Sequence, residues 1–266
     1  MFRTSNPVLK PEVFRPDHWR GNDVGAISSA TNTGTMTMQG VAIKTGILTV
    51  ILATSAGVTA AMVGSTPGLA MIGMLGGMLV SFVLGLIMYF SPRTSPFVAP
   101  FYAVAQGAFL GVLTLFYAKK FQLGKVVPAD MNLIGQAVGL TIAVAGGVSI
   151  AFAMRIIRLG STAKKVIFSA IVGLSLFSLA QMLLTMVFKV QLFSALYGNG
   201  MIGIGFSLVC VALAALTLVW EFQTVEEGVE AGAPKFMEWY SAYGILVSIV
   251  WLYVEILRLL SKLRDR

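Results

Sequence analysis

The sequence predicts an all-α, polytopic membrane protein with seven transmembrane helices, and three observations predict it. Charged residues make up only 11% of the chain and apolar residues 57%, whereas a soluble domain carries about 25% charged residues. Mean hydropathy is +0.85. Apolar runs of about 20 residues, the length that crosses a bilayer, recur along the chain with short links between them. A large soluble core does not explain this composition, because a soluble protein still needs a charged shell. Lipid as solvent does.

The spans are expected near 41–63, 68–90, 97–118, 133–154, 166–188, 201–220 and 239–257. Each is a continuous apolar run, which excludes membrane strands, since those alternate over roughly 10 residues. Pro67 lies in the first link, and Ser91-Pro92-Arg93 ends the second helix. Pro96 precedes the third, the polar 119–132 link carries Pro128 and Asp130, and Gly232-Ala233-Pro234 is the expected last turn. Aromatic residues stand at the expected interfaces: Tyr89 and Phe90, Tyr117 and Phe121, Trp239 and Tyr240. The pairs Gly73/Gly77, Gly107/Gly111 and Gly135/Gly139 recur at four-residue spacing. In lipid such pairs let helices approach closely, so internal bundle packing is expected of them, with homodimerisation as the alternative.

Residues 1–40 form a polar, Asn/Ser/Thr-rich N-terminal tail, expected to be flexible, and residues 41–266 a single transmembrane domain. The tail has no apolar run, so the first apolar helix is expected to act as the insertion signal. The net charge of +8 reads as snorkelling and topology signals rather than nucleic-acid binding. Basic residues are nearly balanced between the two sides. The dense 155–165 link favours an N-terminus inside, and the basic C-terminal residues oppose it.

The single cysteine, Cys210, cannot form an internal disulfide, and the single histidine, His18, lies in the polar tail. No His-based metal site, catalytic triad or intramembrane enzyme is therefore expected, and no cofactor.

The acids are unevenly placed. Asp130 is the only one from residue 24 to 220, and then Glu221, Glu226, Glu227, Glu230, Glu238 and Glu255 follow. Glu255 interrupts the apolar run WLYVEILRLL, and Glu221 follows ALTLVW. A carboxylate in a membrane helix is costly and marks function by default. One reading of Glu255 is an ion pair with Arg258, three residues on along the same face. One reading of Glu221 is a helix-end carboxylate that reaches water.

The functional reading pairs Glu221 with Glu255. Desolvation raises a carboxyl pKa, and a second carboxylate raises one of the two further, so the pair would share a proton and titrate as a unit. Losing that proton would part the two helices and expose oxygens that attract a hard cation such as Ca²⁺. No metal site is firmly expected beyond a possible Ca²⁺ near these two. Straight helices would set the two acids apart in depth by roughly 15 Å, which leaves Glu226 and Glu238 as fallback partners, both expected to be solvated. Lys44 reads as a snorkelling interface lysine, and Arg93 as a topology charge. Gln106 and Gln181 could line a polar path or hydrogen-bond a neighbouring helix.

Several blocks resemble the Bax inhibitor-1/YccA family, specifically its bacterial branch. They are Glu221-Phe222-Gln223 with the later EEGVEAGAPKFMEWYSAYGILVSIVWLYVEILRLLSKL, SNPVL at 5–9, MTMQGVAIKTGIL at 36–48 and PFYAVAQGAFLGVLT at 100–114. The resemblance covers nearly the whole chain. It implies a seven-helix fold with the last helix central between two three-helix groups. It also implies a pH-sensitive Ca²⁺ leak channel controlled by a carboxyl pair that falls on Glu221 and Glu255, in a bacterial inner membrane. The family usually has Asp where Glu221 stands and often an acid where Gln106 stands, and the 222–237 connection looks longer here. The alternative function is a membrane interaction protein, regulating a membrane protease or a stress or cell-death response through the 1–40 tail. The expected partners are the lipid bilayer, Ca²⁺ or another cation, and, for the alternative function, a membrane protein.

Overall fold

The computed structural model describes residues 34–65, 68–119, 131–188, 196 and 198–264. The expectations placed on residues 1–33, including His18, and on Pro67, Phe121, Pro128 and Asp130 fall outside the described residues. Seven helices are long and apolar enough to cross a membrane: α1 (Met38–Ser65), α2 (Leu69–Phe90), α3 (Ser95–Lys119), α4 (Met131–Ala153), α5 (Ser161–Phe188), α6 (Met201–Glu230) and α7 (Met237–Arg264). Among the described residues there is no strand. A single bridge pairs Thr35 with Pro234.

The chain forms two compact units. The first comprises Met1–Val127 and Glu221–Val247, and the second Pro128–Trp220 and Ser248–Arg266. Helices α6 and α7 each contribute to both.

In the first unit, backbone glycines decide how closely helices pack. A Cβ on Gly107 would strike the Leu52 carbonyl of α1, and one on Gly111 the Ala56 carbonyl. Ser55 Oγ donates to the Val104 carbonyl at 2.7 Å beside that contact. On the other side of α3, a Cβ on Gly77 would lie 2.8 Å from the Ala105 carbonyl oxygen. Helix α2 is widened into a π turn over Ile72–Gly76, and a Cβ on Gly73 there would lie 2.9 Å from the Val112 side chain. Two of the three glycine pairs therefore serve internal packing. The third does not: a Cβ on Gly135 or Gly139 would meet nothing within 4 Å.

Helix ends follow local chemistry. Helix α2 stops at Ser91, which leaves helical geometry before the Pro92–Thr94 turn, and Thr94 Oγ1 donates to the Ser91 carbonyl at 2.7 Å. Helix α4 closes over Arg155 in the left-handed region at φ 59°, with Ile156 N–H donating to Ala151 at 3.0 Å. Helix α6 closes over Gly232 at φ 68°, with Ala233 N–H donating to Gly228 at 3.1 Å. The expected last turn is thus present. The expected end of α6 at residue 220 is not, because the helix runs ten residues further, to Glu230. The segment after Trp220 is polar and mixes strong helix formers with weak ones such as Thr224, Val225 and Gly228, and Glu221, Gln223, Thr224 and Val225 on it are buried. Packing keeps helical a stretch that hydropathy alone would assign to a loop. Helix α7 likewise continues past residue 257.

Candidate functional site

Buried polar residues recur along α7 at a constant spacing. Ser241, Ser248, Glu255 and Lys262 stand seven residues apart, and all four are buried, with exposures between 0% and 5%. Seven residues are close to two helical turns, so the four share one face with a drift of about 20° per step. From Ser241 to Lys262 the stripe is about 32 Å long at 1.5 Å per residue, and the hydrocarbon core is about 30 Å thick. Helix α6 has a shorter stripe: Thr217, Glu221 and Thr224, buried at i, i+4 and i+7.

Glu221 lies in the first unit. It is 2% exposed and lies inside α6, so the expectation of a helix-end carboxylate in water is corrected. Its neighbour Glu226 is half-buried. Glu255 lies in the second unit and is 4% exposed. Arg258 Nη1 donates to both of its oxygens, at 3.0 and 3.1 Å, and Trp251 Nε1 donates to Oε1 at 3.3 Å. The i,i+3 ion pair therefore forms, and it offsets the charge of Glu255 within one helix.

Lys262, two turns past Glu255 along α7, donates from Nζ to the carbonyls of Leu196 and Gly203, at 3.0 Å each. A lysine near a helix end in an apolar sequence reads as snorkelling, and nothing in the sequence marks this one as buried and tied to backbone. Cys210 is buried as expected.

The fallback acid Glu238 is corrected too. It is 1% exposed rather than solvated. It accepts from the Thr37 N–H at 3.0 Å and the Thr37 hydroxyl at 2.9 Å, and it is ion-paired with Lys44. Lys44 is therefore an ion-pair partner rather than a snorkelling lysine, and its ammonium also sits 5.6 Å from the Trp239 ring. The pair ties the start of α1 to the start of α7, within the first unit. Gly40 allows it, since a Cβ there would overlap the Glu238 carboxylate. The strand-like contact beside it, Met36 N–H to the Ala233 carbonyl at 2.7 Å, packs residues assigned from sequence to the tail. A lone lysine and a lone glutamate, each opening an apolar helix, are the only trace of this pair in the sequence.

Gln181 donates to Thr185 of its own helix at 3.3 Å. Gln106 lines a cavity of about 410 Å³ bounded by α2, α3 and the first turns of α7, along with Tyr102 and Tyr243. Among the described residues no group of three His, Cys, Asp or Glu side chains is placed to hold a metal ion.

Seven apolar helices and polar side chains buried along two of them define an integral multi-pass membrane protein. The family described as Bax inhibitor 1 like matches residues 6–265, nearly the whole chain. The chain belongs to that family. No curated protein matches it, and no solved structure does.

Proposed function

We propose that the protein is a pH-sensitive cation leak, for Ca²⁺ or a similar hard cation, in which Glu221 and Glu255 are the titrating groups. The bacterial inner membrane is the membrane we propose for it, and we propose no enzymatic role. The observation that carries this reading is the buried polar stripe of α7. Buried polar groups cost free energy in a membrane helix, and Ser241, Ser248 and Glu255 place side-chain oxygens along about 21 Å of it, with the Lys262 ammonium at its end. Family membership supports the same reading.

Glu255 is the acid of that stripe, and Arg258 holds it electrically neutral. A cation can use the Glu255 oxygens only once the guanidinium withdraws. Protonating Glu255 removes its attraction for both Arg258 and the cation, so the proton and the permeant ion compete for one group. Glu221 supplies the second buried carboxylate, on α6.

The test is Ca²⁺ flux into proteoliposomes from about pH 5 to about pH 8. Wild type should show a pH-dependent flux that becomes pH-insensitive in Glu255→Gln, while Glu221→Gln should shift the pH at which flux changes. Absence of flux at every pH from folded protein would overturn the leak, and would turn attention to regulation of a membrane partner.

A further inference from the structure

The cavity of the first unit has a polar inner wall that neither the fold nor the leak requires. It opens past Met78, Phe82 and Leu86 of α2, which are 40% to 64% exposed on a helix that spans the membrane. Its occupant is therefore supplied by the bilayer. Its inner wall is different. Tyr102 and Tyr243 are each 6% exposed and stand edge to face with ring centres 4.6 Å apart. Gln106 follows Tyr102 by four residues on the same face of α3. Among the described residues, no group exchanges a hydrogen bond with either of these two hydroxyls or with the Gln106 amide. Polar groups at membrane depth without a partner are costly, so three hydrogen-bond donors gathered on one wall call for an acceptor.

The chemistry of the lining narrows that acceptor. No charged side chain lines the cavity, so nothing there would balance a phosphate or a carboxylate. Depth narrows it further. Gln106 lies eleven residues into α3 from Ser95, about 17 Å along the helix axis, and Tyr102 and Tyr243 lie seven and six residues into α3 and α7, about 9–11 Å in, so all three sit inside a hydrocarbon core about 30 Å thick. The charged head group of a phospholipid stays at the interface and does not reach that depth. The volume is that of a small-molecule site, about 300–1,000 Å³.

We propose that this cavity binds an uncharged, membrane-dissolved lipid whose carbonyl lies within its apolar body. The carbonyl, with two lone pairs, accepts from two of the three donors on that wall, Tyr102, Tyr243 and Gln106. The apolar remainder lies along Met78, Phe82 and Leu86 and leaves through the opening into the bilayer. Gly85 keeps the inner end open, since a Cβ there would stand 2.9 Å from the Tyr243 hydroxyl.

The test uses the full chain in lipid vesicles and a long-chain ketone with its carbonyl at mid-chain and a photoactivatable diazirine beside it. Peptide mapping should find label on the cavity-lining segments of α2, α3 and α7, several-fold above the outward-facing Leu176 and Leu183 of α5. Unlabelled ketone should compete, and a hydrocarbon of equal length should not. The combined change Tyr102→Phe, Tyr243→Phe and Gln106→Leu should lower cavity labelling to the α5 level while the melting temperature holds or rises. Labelling no higher than on α5, equal competition by the hydrocarbon, or full labelling of the folded triple variant would each overturn the proposal. Loss of ion flux alone would not bear on it, because no residue of the proposed leak lines this cavity.

Discussion

Lys44 and Glu238 are unequal partners, and the inequality can be measured. Glu238 is almost wholly buried, whereas the Lys44 side chain keeps 17% of its exposure. Removing the lysine strands a buried carboxylate, which costs about 3–5 kcal/mol. Removing the acid leaves a lysine that can turn toward water, so the loss is nearer that of hydrogen bonds to a charged group, about 1.5–3 kcal/mol. Lys44→Met should therefore lower stability more than Glu238→Gln, as read by equilibrium unfolding in detergent micelles. The double change Lys44→Met with Glu238→Met should recover part of the loss. The reverse order for the single variants would mean that Glu238 finds another cation when Lys44 is removed. Neither residue could be paired from sequence, because 194 positions separate them and each has an ordinary role as an interface charge. Glu255 and Arg258 are the opposite case: three positions on one helix, a pairing that helical geometry alone makes available.

At the scale of helices, close packing outweighs hydrogen bonding. Gly111 meets backbone on α1, which cannot move aside as a side chain can. Gly111→Ala should destabilise by about 1–3 kcal/mol, and Ser55→Ala, which removes the neighbouring interhelical hydrogen bond, by only about 0.6 kcal/mol. Gly139→Ala meets nothing and should be neutral or stabilising by up to about 1 kcal/mol, the helix-propensity difference. The same unfolding assay ranks the three, and a neutral Gly111→Ala would refute the α1–α3 contact. The four-residue spacing is identical in the 107/111 and 135/139 pairs, so spacing could not tell a packed pair from an open one. Helix ends give a further test. Arg155 holds a left-handed conformation that costs a side-chain-bearing residue roughly 1–2 kcal/mol. Arg155→Gly should raise stability by up to about that amount, less any loss of contacts made by the arginine itself.

Across the whole molecule, an odd number of spans puts the start of α1 and the end of α7 on opposite faces of the bilayer. The single native cysteine is buried, which makes labelling simple. In a Cys210→Ser background, Gly34→Cys and Arg264→Cys should react with a membrane-impermeant maleimide from opposite sides of sealed vesicles. Reaction of both from one side would mean that one of the seven helices does not cross. The side on which Gly34 reacts also decides the orientation, which the near-even distribution of basic residues leaves open.

The number, length and approximate limits of the helices follow from the sequence by itself, for a physical reason. A bilayer demands about 20 apolar residues per crossing, and it requires that backbone hydrogen bonds be made within each helix. The demand is local, so it is written locally. The end of α6 escaped because packing, not hydropathy, keeps Glu221 to Glu230 helical. Of the polar stripe of α7 only Glu255 stood out in the sequence, and the burial of the stripe was not legible there, since burial depends on which face the neighbouring helices cover. The Lys44–Glu238 pair, the tether of Lys262 and the lining of the Tyr102–Tyr243 cavity were decided by tertiary structure alone. Each joins residues remote in sequence, and lipid constrains how long a helix is without saying which residues it meets.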